Sequence, residues 1–198
     1  MDFGNFILSF LLQMAFTLGL IFLFGKAIAL CNGAFYRNFG THARAVCYVT
    51  GFIGTPVHEG AHALMCLIFG HKITEIKLFQ INSSDGTLGY VYHSYNPRNW
   101  WQKIGCLFIG IAPVLVGGLL LAGLLYLLLP DLFVSAANDI VAADFAGDFG
   151  GALLTVLRSF AGMFGYVVTW QWWVFILVGS FIALHMTLSR EDVRGAAG

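Results

Sequence analysis

The sequence predicts an α-helical polytopic membrane protein with about four transmembrane helices and a small β-hairpin inserted between the second and third. Three observations predict it. Of 198 residues, 59% are hydrophobic and only 10% are charged, whereas an ordinary soluble domain carries roughly 25% charged residues. Mean hydropathy is +0.80, and so few charges cannot cover a water-facing surface. The apolar residues also gather into runs of the length a hydrocarbon core requires, about 20 residues per helix. The chain length fits one membrane-embedded domain, 1–198, with 1–44 as an accessory first helix and loop and 45–198 as its core.

The first run covers 6–30 and is interrupted only by Gln13 and Lys26. Its start, MDFGNF, holds one acid and no base, so it reads as a retained helix rather than a cleaved signal peptide. The second run, 45–70, contains His58, Glu59 and His62. The stretch ITEIKLFQINSSDGTLGYVYHSYNP follows, β-branched and aromatic around a Ser-Ser-Asp-Gly turn signal, and predicts a hairpin over 73–92. Its open edge cannot face lipid and must lie at the interface or against protein. The third run, 104–129, stops at Pro130. Segment 131–166 carries four aspartates and one base, Arg158; it reads as a solvated acidic face, its spacing fitting no EF-hand loop. Within it, 151–168 is apolar enough for a short interfacial or re-entrant helix, since Arg158 makes a full span expensive. The fourth run, 167–188, begins with Trp170, Trp172 and Trp173 as an interfacial belt.

Four spans put both termini on one side. Lys72, Lys77, Arg98, Lys103, Arg190 and Arg194 share that side, against Lys26, Arg37, Arg44 and Arg158 opposite, which favours cytoplasmic termini. Ten basic and ten acidic residues leave no basic excess, so nucleic acid is not an expected partner. The lipid bilayer is one. Cys31, Cys47, Cys66 and Cys106 show no CxxC spacing; they read as small buried apolar residues rather than a disulfide framework or a cysteine zinc site.

The chemistry gathers in Gly54-Thr55-Pro56-Val57-His58-Glu59-Gly60-Ala61-His62, which matches HExxH. Residues four apart share a helix face, so His58 and His62 can offer two imidazole nitrogens to one metal ion, Zn2+ above all. Glu59 then sits beside the metal as the catalytic base, placed to take a proton from water. Six histidines and three glutamates in 198 residues give a chance HExxH odds of about 0.3%. Thr55 and Pro56 look like a helix cap and first-turn proline, so a new helix or a kink is expected just before the motif. A zinc site needs a third protein ligand. Cys66 shares the stripe, but His58 to Cys66 spans about 12 Å along a helix axis, too far for one ion. His185, in the fourth run, is the expected third ligand, with Asp192 as the alternative. His42 and His71 fall at span ends, where solvated side chains are expected. His93 follows the hairpin and is a candidate substrate contact.

At these residues the chain resembles the site-2 protease family of intramembrane zinc metalloproteases. The resemblance covers the second span through the fourth, about 145 residues. It rests on HEGAH in an apolar helix, on the β-rich insertion with its GTLGYV stretch, and on Gly110-Ile111-Ala112-Pro113 in a further span. It implies zinc on His58 and His62 with Glu59 as general base. It also implies hydrolysis of peptide bonds in membrane-embedded protein or peptide substrates, with Gly86, Thr87, Leu88, Gly89 and His93 helping to hold an unwound strand. The family's third ligand is an aspartate in an LDG-like or NPDG-like motif; this chain has neither, and His185 or Asp192 stands nearest. A multi-pass protein of a bacterial inner membrane fits the small size and the resemblance. Two other readings share the metal: a non-catalytic metal-binding membrane protein that binds or chaperones membrane partners, and a membrane hydrolase acting on a lipid-linked amide.

Overall fold

The computed structural model describes residues 23, 25–83, 86–142 and 148–187. Most of the predicted first span therefore lies outside the described residues; its end runs into helix α1, 25–38. Gly40, at φ +51, adopts the left-handed conformation that glycine enters at little cost, and a 3-10 turn, Gly40–His42, leads into α2 (Ala43–Ile68). Strands β1 (Lys72–Lys77) and β2 (Tyr90–Ser94) follow, then α3 (Trp100–Leu128), α4 (Pro130–Ala142), α5 (Phe149–Gly162) and α6 (Trp170–His185).

Helix α2 is continuous through the motif. No new helix begins at Thr55-Pro56: Pro56 is carried inside α2, where its missing N–H removes one i to i−4 bond. Helix α3 has a mean hydropathy of 2.5 over its best window. Its 29 residues make it about 43 Å long at 1.5 Å per residue. Among the described residues it is the one helix long and apolar enough to cross a membrane by itself. Helix α6 is as apolar in character but has 16 residues.

The β-hairpin forms as an antiparallel pair, with Ile73 opposite His93, Glu75 opposite Tyr92 and Lys77 opposite Tyr90. The register shifts between Ile73 and Glu75, and the extra residue, Thr74, donates its hydroxyl to the Tyr92 carbonyl at 3.0 Å. The strands are shorter than predicted. Beyond the paired residues the two arms stay bonded, with Gln80 N–H donating to Leu88 O at 2.7 Å.

The chain divides into two compact units, 1–117 with 181–198, and 118–180. The division falls within α3 and α6. In the second unit Leu129, Leu132 and Trp172 form a buried cluster, with Leu125, Leu128, Met163, Tyr166 and Ile176 packed on it. Where described, the acidic segment is largely helical, and two of its aspartates, Asp139 and Asp148, have structural partners. The Asp148 carboxylate accepts the Gly151 N–H at 2.9 Å, capping α5, and Asp139 accepts the Ser159 hydroxyl at 2.5 Å.

Candidate functional site

The HExxH helix turns both histidines toward a common point. The Nε2 atoms of His58 and His62 lie 3.1 Å apart. The other nitrogen of each ring meets a backbone carbonyl: His58 Nδ1 lies 2.6 Å from His185 O, and His62 Nδ1 lies 2.7 Å from Ile109 O. A carbonyl oxygen only accepts, so both Nδ1 atoms carry a proton, and the two Nε2 atoms are turned to the same space. Two ligands on a tetrahedral zinc with arms of about 2.0–2.1 Å sit about 3.3 Å apart. The donor set fits zinc: imidazoles converge, and each is oriented by an outer hydrogen bond that fixes its tautomer.

Both orienting carbonyls are available for a local reason. Pro113 lies inside α3 and has no N–H, so the carbonyl four residues earlier, Ile109 O, loses its helical donor and accepts from His62 instead. His185 is the last residue of α6, where carbonyls lack intrahelical partners. The Gly110-Ile111-Ala112-Pro113 segment is buried throughout.

Glu59 is 8% exposed and His62 6%. The GTLG stretch packs directly on this part of α2. A Cβ on Gly89 would stand 2.8 Å from Glu59 Cγ, from Thr55 Cγ2 and from Lys77 O, and one on Gly51 would stand 2.8 Å from Leu88 Cδ1. Thr87 O accepts from Ser83 Oγ at 2.7 Å and from Gln80 Nε2 at 3.0 Å. Gly86 holds φ +79 and, with Leu88, Asn82 and Ser83, forms one wall of a cavity of about 700 Å³ whose other side is Tyr36, Arg44, Cys47 and Tyr48. Of the five expected substrate-contact residues, Leu88 and Gly89 thus pack on α2 and Gly86 lines the cavity beside it.

His185 is placed differently from expectation. Its ring is clasped by α2 threonines, Nε2 at 3.1 Å from Thr50 Oγ1 and Nδ1 at 3.4 Å from Thr55 Oγ1. Thr50 also meets the Tyr36 hydroxyl at 3.1 Å. The atom of His185 that meets His58 is its main-chain carbonyl, while its imidazole meets Thr50 and Thr55. Gly54 makes this possible, because a Cβ there would strike the Phe181 carbonyl and the His185 ring. Asp192, the alternative ligand, lies outside the described residues.

His93 joins a different group. Cys66, His71 and His93 place one ligand atom each within 4.8 Å of one another. His71 is 4% exposed and Cys66 0%, so the solvated span-end reading of His71 is corrected; His42 is exposed as expected. The cause is the end of α2. Gly70 at φ +70 donates to Leu67 O at 3.2 Å, and His71 N–H donates to Cys66 O at 2.8 Å, the paired bonds of a Schellman cap. That cap folds His71 back over Cys66, and the Ile73–His93 register brings the third side chain alongside. Burial first, then the neighbouring His71 and His62, holds the His93 imidazole below the usual histidine range. The expectation that every cysteine is buried holds for Cys66 and Cys106, while Cys31 is exposed and Cys47 half-buried.

Comparison with protein-family models, with curated proteins and with solved structures finds no match.

Proposed function

We propose that the chain is an intramembrane zinc metalloprotease of the site-2 type, multi-pass in its membrane, which hydrolyses peptide bonds of membrane-embedded substrates. The observation that carries the reading is the pair of Nε2 atoms 3.1 Å apart, each ring locked by a carbonyl at its far nitrogen. His58 and His62 hold the metal. Asp192 supplies the third ligand; it follows by seven residues the carbonyl that already touches His58. When bound, zinc supplies a Lewis acid that makes water a nucleophile near neutral pH.

The chain's own residues do the rest. Glu59 accepts the proton of the attacking water and returns it to the leaving amine, the two halves of general base and general acid work. Its near-complete burial keeps bulk water from competing for that proton. Gly89, with no side chain, leaves Glu59 its room. A helix hides its carbonyls in its own bonds, so a substrate must be extended before attack. An outer edge of the β1–β2 pair offers replacement bonds by strand addition, and the cavity flanked by Gly86 and Leu88 accepts side chains of the extended segment.

The test compares membranes from cells expressing the wild type and Glu59→Gln, by profiling new protein N-termini. The wild type is expected to generate N-termini inside membrane-embedded segments that Glu59→Gln reduces by about 10²-fold or more. Identical profiles would leave a non-catalytic metal-binding protein, and cleaved lipid amides without new N-termini would move the substrate class.

A further inference from the structure

Beyond the HExxH pair, the geometry points to a second metal site, in which Cys66, His71 and His93 hold a zinc-class ion that fastens the hairpin to the end of α2. The site goes beyond the protease reading and does not depend on it.

Three elements supply one ligand each: the last turn of α2, its cap, and β2. His71 Nε2 lies 2.7 Å from the Gln102 carbonyl and so carries the proton, which leaves its Nδ1 as a lone pair. That atom faces His93 Nδ1 at 3.1 Å, close to the separation of about 3.3 Å for two nitrogens on one tetrahedral zinc. A hydrogen bond between the rings would satisfy them alone. The Cys66 sulfur decides between the two, because it reaches the same point within 4.8 Å from a side chain with no exposure. In an ordinary Schellman cap the corresponding pair of side chains makes an apolar contact; here that pair is a thiol and an imidazole. One thiolate and two imidazoles make a set that favours zinc over magnesium or calcium.

The surroundings are built to hold the ligands still. The Tyr95 ring stacks on His71 at 5.1 Å and 16°. Gly105 leaves α3 no Cβ where one would press on Phe69 and stand 3.1 Å from His71 Nε2, so the Gln102 carbonyl can come within reach. The Gln102 side chain reaches back to Gly70 O at 2.6 Å, bracing the cap that places His71. An ion here ties β2 to α2 next to the residues that place Gly89.

The experiment uses the full chain in detergent with cobalt(II) in place of zinc. The HExxH pair has no sulfur ligand, so a thiolate-to-cobalt charge-transfer band reports the second site alone. The wild type is expected to bind two ions per chain and show the band. His58→Ala is expected to bind one and keep it, and Cys66→Ser to bind one and lose it. His93→Ala, at a half-buried strand position, repeats the Cys66 test without touching a helix. A wild type that shows no band, or a band that survives both Cys66→Ser and His93→Ala, overturns the second site while leaving the motif's own ion to be read from the His58→Ala difference.

Discussion

At the scale of single residues, the site is governed by where protons and Cβ atoms can go. His185 is the sharpest case. Its carbonyl, which any residue supplies, bonds His58, while its ring bonds Thr50 and Thr55. His185→Ala is therefore expected to keep the motif-bound ion that His58→Ala loses, as read by metal content per chain; loss of an ion in His185→Ala would restore the imidazole as third ligand. Gly89 is the second case. An alanine there would press on Glu59, Thr55 and Lys77 O together, each at 2.8 Å. A displaced catalytic group costs on the order of 10²-fold per ångström, so Gly89→Ala is expected to cut turnover by about that factor with metal content unchanged. The two histidines and the glutamate were legible because i, i+4 spacing is a local property of any helix. The partners of His185 were not legible, because matching depths between two helices says nothing of which atoms of a residue face the neighbouring helix. The neighbours of Cys66, His71 and His93, come from a cap and a strand register that linear spacing does not show.

The helices and strands were easier to find than to delimit. The hydrophobic runs located α2, α3 and α6 because burial or lipid demands them, yet Pro56 did not break α2. A proline inside a helix removes one bond but need not end it when packing holds both sides. Gly51, Gly54 and Thr55, all buried, show such packing around it. Pro113 has the larger consequence, since it frees the carbonyl that orients His62. Pro113→Ala restores an N–H that competes for Ile109 O. The helix itself gains, by up to about 3 kcal/mol on propensity, while the His62 ring loses its tautomer lock. Loss of such an outer partner lowers metal affinity by about 10–100-fold. Competition against a chelator is expected to show that loss together with a higher thermal midpoint. Unchanged affinity would mean that the carbonyl is incidental.

Across the whole molecule, the chain separates what holds the site from what does not. The motif, the hairpin and the end of α6 belong to one compact unit, and 118–180 forms another, a division that cuts across the apolar runs of α3 and α6. The second unit carries its own cluster of Leu129, Leu132 and Trp172, built on α4, which starts at Pro130, and on the Trp172 side of α6. Trp172 is 8% exposed, and truncating a buried aromatic to alanine costs about 3–5 kcal/mol. If the division is energetic as well as spatial, Trp172→Ala unfolds the second unit at a lower temperature while His58 and His62 keep their ion. The expected record is an early transition in thermal unfolding, with metal released only at a later one. Release of metal together with the first transition would mean that α3 and α6 transmit the loss along their own lengths, and that the chain melts as one body.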